Sequence, residues 1–324
     1  MRRPPLTVEE PDTRSTSGRV RAWRAWVNRP ALLLAVILAV GAALRFYGLN
    51  WDGGHWLHPD ERQIFFVVEG LGWPTSLTEA LSPASPLNPH FFAYGSLSIY
   101  LLKIVSALLA PIWPALRDVD NLHLVARPLA ALFDLGTVYL TYRLTRTLWQ
   151  TSDSSSPAQD SQRGEEPVSA WAWLSGGGIQ KLGFQAVPLL AAAFVSLAVL
   201  HTQLAHFYTT DPLLAFFVML TLNLAAEVAR GGGCRWQVAL GIALGLTLAT
   251  KVSALPLILA VAVAFYTRAR TLAATGVRSS WRQSLPDTIR HTALTLILAE
   301  AVFFLVQPNA LIDWRTFVDH TFAE

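Results

Sequence analysis

Two acidic motifs lie far apart in the chain: Asp60 and Glu61 in Leu-His-Pro-Asp-Glu (57–61), and Asp211 in His-Phe-Tyr-Thr-Thr-Asp-Pro (206–212). A carboxylate can accept the proton of a hydroxyl nucleophile that is lost as a new bond forms, and partial burial or an adjacent acid raises its basicity. The bland alternative is helix capping. Pro59 suits a first helical position, acids in a first turn complement the helix dipole, and Asp before Pro at 211–212 suits an N-cap. Lys251, between Thr250 and Ser253, either snorkels from a membrane boundary or faces a phosphate together with Arg62. His58, His90, His201 and His206 add acid-base or ligand groups, with His90 and Tyr94 in Asn-Pro-His-Phe-Phe-Ala-Tyr-Gly-Ser-Leu (88–97). His58 and Asp60 are spaced to reach one divalent metal, but no His-x-x-x-His accompanies them, and a metal stays an open question.

These residues belong to a membrane protein. The chain is 52% hydrophobic and 15% charged, with a mean hydropathy of +0.38, whereas soluble domains carry about 25% charged residues. Disorder is excluded by the low charge, and a disulfide framework or Cys-rich metal site by the single Cys234. The net charge of +3 does not indicate nucleic acid, because a polytopic protein collects its basic residues in cytoplasmic loops.

Residues 1–30, with seven Arg among Pro, Ser and Thr, read as a disordered cytoplasmic tail. The run 31–49 reads as a retained signal anchor, long enough to cross about 30 Å of hydrocarbon and without a small-residue cleavage site. The stretch 236–266 would measure roughly 47 Å as one helix. It is therefore divided into two spans at Lys251 and Pro256. The apolar stretch 91–113 decides the parity. If it crosses, the loops holding Arg143 and Arg146, Arg230 and Arg235, and Arg268 to Arg290 all fall outside; if not, they join the basic tail inside. The second choice makes 91–113, which contains Lys103, an interfacial or re-entrant helix.

The expected fold is an all-α polytopic bundle of seven spans: 31–49, 126–148, 184–206, 212–229, 236–250, 252–267 and 289–306. One module, 31–324, holds an external loop over 50–125 and a low-complexity cytoplasmic loop over 150–180. The N-terminus is cytoplasmic, the protein multi-pass in the cell membrane, and Asp60 and Asp211 meet at one external face. Arg45, Arg127, Asp134 and Glu300 lie in or beside spans, where charge is costly and turns to the bundle interior. Arg127 and Asp134 share a helix face and read as structural pairing groups. Phosphate loops, Gly-x-Ser-x-Gly elbows and His-Glu-x-x-His motifs are absent from the sequence. Aromatic residues of the external loop, among them Trp51, Trp56, Trp73 and Tyr94, suit an interfacial belt and also sugar rings.

Four elements in order carry a resemblance: Arg-Phe-Tyr-Gly-Leu-Asn-Trp with His-Pro-Asp-Glu, the 88–97 motif, Asp211-Pro212, and Gly-Ile-Ala-Leu-Gly-Leu-Thr-Leu-Ala-Thr-Lys-Val-Ser-Ala-Leu-Pro (241–256). From about residue 43 onward the chain resembles bacterial relatives of dolichyl-phosphate-mannose protein mannosyltransferases, family 39 type enzymes of the GT-C fold. The resemblance implies a transferase dependent on a polyprenyl-phosphate-linked sugar, with Asp60 matching the catalytic acid of the first external loop and Glu61 beside it. It implies that Asp211 is the second acid of the cavity and that Thr250 and Lys251 match a Thr-Lys element. It also implies juxtamembrane helices in the first external loop. His206 stands where many relatives have Arg, and the chain reads as the N-terminal module of a longer protein.

The resulting expectation is an inverting transfer of a mannose-like sugar to a hydroxyl of a protein or glycolipid acceptor. Asp60 is the base, Asp211 positions sugar or acceptor, and Lys251 with Arg62 meets the departing phosphate. His58, His90, His206 and Tyr94 complete the candidate substrate-binding set. A transporter or flippase with membrane carboxylates, or an inactive membrane scaffold, is the competing reading.

Overall fold

The computed structural model describes residues 30–153, 178–274 and 285–322. Residues 1–29 of the basic tail and 154–177 of the low-complexity loop lie outside them. The described residues form helices α1 (Pro30–Phe46), α2 (Pro59–Gly70), α3 (Leu77–Ala80), α4 (Ser96–Leu109), α5 (His123–Asp153), α6 (Gly178–Leu197), α7 (Val199–Leu204), α8 (Thr210–Ala229), α9 (Cys234–Thr250), α10 (Leu257–Ala274), α11 (Leu285–Val306), α12 (Asn309–Ile312) and α13 (Trp314–Phe322). Short 3-10 turns cover Pro114–Arg117, Val119–Asn121 and Val252–Ala254. The fold is an all-α polytopic membrane protein.

Helices occur at each of the seven expected spans. By length and composition, Val119–Trp149, Thr210–Ala229, Val252–Ala273 and Leu285–Val306 can each cross a membrane. Pro30–Phe46, Ala186–Leu197 and Cys234–Thr250 are shorter apolar helices. In the bundle α5 packs on α1, α6 and α8, α8 packs on α9 and α10, and α11 closes against α9 and α10.

Two breaks position the chemistry. Helix α9 ends at Thr250 because Lys251 is extended (φ −162°, ψ 124°), and Pro256, which has no N–H to donate, precedes the start of α10. The expected span 184–206 is interrupted: α6 stops at Leu197, Ala198 is extended (ψ 121°), and α7 follows. Carbonyls at a helix end lack in-helix donors and must find others. Arg45 of α1 supplies them, donating to the carbonyls of Ser196 at 2.9 Å and Val195 at 3.3 Å. The same guanidinium donates through Nε to Asp134 of α5 at 2.6 Å, and His201 of α7 sits 2.6 Å from the other Asp134 oxygen. Helices α1 and α6 approach closely at Gly41, where a Cβ would lie 2.6 Å from Ser196 Oγ and would turn that hydroxyl aside.

The segment between α1 and α5 folds as a helical module on one end of the bundle. Helix α4 occupies the middle of the expected 91–113 stretch and packs against α2, the 114–117 turn, α5 and α9. Ile64 and Phe65 of α2, Ile99 and Leu102 of α4, and Tyr208 and Leu213 at the start of α8 share one buried cluster. Enclosing such side chains contributes about 1.5–3 kcal/mol each, which fixes the loop on the bundle.

Candidate active site

Helix α2 starts where its sequence says it should. Pro59 takes the first position, and the ring of N-cap His58 accepts the Asp60 N–H at 3.3 Å. The two acids that follow have different fates. Glu61 is completely buried, its oxygens 2.9 and 2.7 Å from Arg127 Nε and Nη2, and it also accepts the Tyr208 N–H at 3.0 Å. Asp60 is half-buried, and among the described residues its carboxylate has no hydrogen-bond or ion-pair partner.

Arg127 is the hub of this arrangement. Beyond Glu61 it donates to both oxygens of Asp52 at 2.8 Å and to the Leu49 carbonyl at 2.8 Å. Its fork thereby ties the exit of α1, the start of α2 and the first turns of α5 together. Hydrogen bonds from Arg127 hold the Asp52 carboxyl far below the usual carboxylate range, against the opposing effect of burial and helped by the Gly54 and Leu57 N–H groups. Arg127 and Asp134, which share a helix face, are both structural pairing groups as expected, each with its own partners: Arg127 holds Asp52 and Glu61. Asp134 serves Arg45 of α1 and His201 of α7, the helix that follows the break at Ala198.

The Asp211 segment is locked to the Asp60 segment. The His58 ring packs on Phe207 with centroids 4.5 Å apart, beside the Glu61 to Tyr208 bond. Tyr208 is fully buried, and its hydroxyl donates to the Ser98 carbonyl at 2.8 Å, which adds α4 to the junction. Asp211 sits in the first turn of α8, half-exposed, with Lys251 Nζ 3.9 Å from its Oδ1. Before it, Thr209 is the helix N-cap, yet its enclosed hydroxyl makes no hydrogen bond among the described residues. Lys251 is placed by the α9 break and by Gly95, whose N–H donates to the Thr250 carbonyl at 3.0 Å. A Cβ at Gly95 would collide with the Ala249 carbonyl.

The remaining candidates divide. Arg62 is exposed on α2, two residues past Asp60. His206 is a tether, its ring nitrogens 2.7 Å from the Thr202 carbonyl and 2.9 Å from the Tyr47 carbonyl. His90 faces the C-terminal segment, with Nδ1 3.5 Å from Asp313, in a left-handed conformation (φ 47°). Tyr94 packs edge-on to Phe91 at 5.2 Å, next to Gly95. Glu300 does not face the interior: it is exposed, because α11 packs on α9 and α10 and leaves its other faces uncovered. Among the described residues no three His, Cys, Asp or Glu side chains group as metal donors, so Asp60, Asp211 and His58 do not assemble a metal site.

Sequence reasoning missed Asp52, Tyr208 and Gly95. The only signal for Asp52 was an acid close to a lone Arg at the entry of a span. The roles of Tyr208 and Gly95 are contacts between segments far apart in the chain.

The assembled elements are an uncommitted carboxylate, a second acid beside a lysine, and an extracted polar loop held on apolar helices. Residues 168–312 match the family model of dolichyl-phosphate-mannose-protein mannosyltransferase. The match takes in less than half of the chain, and includes His206, Asp211 and Lys251 while starting beyond Asp60. Together with the apolar helices it supports a membrane glycosyltransferase. No curated protein matches the chain.

Proposed function

We propose that the protein is an inverting glycosyltransferase that moves a mannose-like sugar from a polyprenyl-phosphate donor to an acceptor hydroxyl at the external membrane face. The observation that carries this reading is the contrast between neighbouring acids: Glu61 is spent on Arg127, and Asp60 keeps an unpartnered carboxylate at the junction with the Asp211 segment. Glu61 is then an anchor for the base, not a second acid-base group. The acceptor oxygen attacks the anomeric carbon as its proton passes to Asp60, and the bond from that carbon to the phosphate oxygen breaks. The lipid phosphate leaves with the bonding pair. Lys251 offsets the charge developing on it, with Arg62 as a second cation. Asp211, 3.9 Å from Lys251, orients that ammonium and the sugar hydroxyls. The acceptor is a protein or glycolipid hydroxyl.

Transfer of radiolabelled mannose from polyprenyl-phosphate-mannose to membrane acceptors tests this, with Asp60→Asn alongside. Transfer by the parent and its loss in the variant is the expected result. Undiminished transfer by Asp60→Asn would remove the proposed base.

A further inference from the structure

A cavity of about 650 Å³ lies in the external module, away from Asp60, Asp211 and Lys251. The far end of α2, the last turns of α4 and the 114–121 turns enclose it. Its polar lining is Glu69, Trp73, Lys103, Ser106, Arg117 and Asp118, over an apolar floor.

Three features point to a ligand. Ser106 is 5% exposed, and its buried hydroxyl has no hydrogen-bond partner among the described residues. A buried hydroxyl left unpaired is unfavourable, and a ligand group that pairs with it relieves the penalty. Second, two acids and two bases line one cavity, yet among the described residues no ion pair joins them. Lys103 instead donates to the α2 carbonyls of Val68 at 3.2 Å and Leu71 at 2.6 Å, while burial pushes its ammonium below the ordinary lysine range. A simple anion would meet Glu69 and Asp118, and a simple cation Lys103 and Arg117. A neutral polyhydroxyl ligand suits all four, because each hydroxyl donates to a carboxylate and accepts from a cation. Third, the Trp73 ring is 57% exposed at the wall and presents an apolar face of the kind on which sugar C–H groups pack.

We propose that this cavity is a saccharide-binding subsite. Glu69 is nine residues along α2 from Asp60, so the two sites stand about 13 Å apart along one helix. The sugar reaches the pocket as a soluble glycan or as a glycolipid headgroup. The second source has its own surface, since Leu108, Ile112 and Trp113 beside the rim are 70%, 86% and 45% exposed and can enter the acyl region. Binding does not rest on the transfer reaction, and a chain without transferase activity would hold the same ligand.

The test uses the full chain in nanodiscs, with saturation-transfer NMR and calorimetry. Neutral mannose, glucose and galactose trisaccharides form one arm, and monoglycosyl lipids incorporated in the disc form the other. Saturable binding in either arm is expected, weakened about tenfold in Trp73→Ala and in Arg117→Gln. Both positions are exposed, so the fold tolerates the changes. Binding confined to the lipid arm assigns the headgroup source, and binding of the trisaccharides assigns the soluble one. Absence of saturable binding up to about 10 mM in both arms overturns the proposal. Affinity unchanged in both variants does so too, as does displacement by inorganic phosphate or an uncharged Ser/Thr peptide.

Discussion

Glu61 gives both carboxylate oxygens to Arg127, at 2.9 and 2.7 Å, in a site closed to solvent. Removing one member of a buried ion cluster leaves the others charged and uncompensated, which costs about 3–5 kcal/mol. Arg127→Met is therefore expected to lower the thermal midpoint in detergent sharply, while Asp60→Asn, which breaks no contact, shifts stability by less than about 0.5 kcal/mol. Thermal unfolding of the two variants side by side checks the division between anchor and base. Equal destabilisation by both would contradict it.

Asp52 carries the pH dependence of the same cluster. Its carboxyl is depressed by the Arg127 hydrogen bonds, so its contribution is complete above the unfolded value of about 3.9 and is lost as pH falls through the lower folded value. Unfolding midpoints measured from neutral pH downward should hold steady to about pH 4 and then drop. Asp52→Asn should start from a lower midpoint and lack that part of the drop. A variant curve parallel to the parent's at every pH would show that Asp52 is not the titrating group.

The fold was legible where hydrophobic runs and punctuation agree. Pro256 and Lys251 mark the boundary between α9 and α10, and Pro89 and Pro111 bracket the apolar stretch in which α4 forms. The Asp60 turn was readable from Pro59 and its first-turn acids for the same local reason, whereas the His58 cap was not. The break at Ala198 was not readable, because Leu-Ala-Val-Leu continues the apolar pattern through it, and the donor that satisfies the freed carbonyls, Arg45, comes from a distant helix. Nor was the division of labour between Asp60 and Glu61. Adjacent acids look alike in sequence, and only helix geometry turns Glu61 toward Arg127.

Gly95 is where the helical module between α1 and α5 meets the end of α9. Its N–H bonds the Thr250 carbonyl at 3.0 Å, and even a methyl group there would strike the Ala249 carbonyl. Because the obstacle is backbone, it cannot rotate away. Gly95→Ala should cost about 1–3 kcal/mol in stability and, by displacing Lys251 from Asp211, reduce transfer more than a loss of that size in folded protein explains. Comparing specific activity per folded molecule with Leu102→Ala, a destabilising core change on α4 seven residues from the contact, separates the two effects.

Lys251 lies 3.9 Å from Asp211, with both side chains partly exposed, so the pair contributes little to folding. Its value in the proposed reaction comes from the phosphate. A charge-assisted contact to a leaving group that strengthens as the bond breaks is worth about 1.5–3 kcal/mol, or roughly 10–150-fold in rate. Lys251→Met is expected to lower kcat/KM for the lipid-linked donor by that factor with an unchanged unfolding midpoint, and Lys251→Arg to restore part of it. If the ammonium acts only on bound substrate, KM alone rises; if it acts on the departing phosphate, kcat falls. Unaltered kinetics in Lys251→Met would leave the lysine as a snorkelling residue at the membrane boundary and remove it from the site.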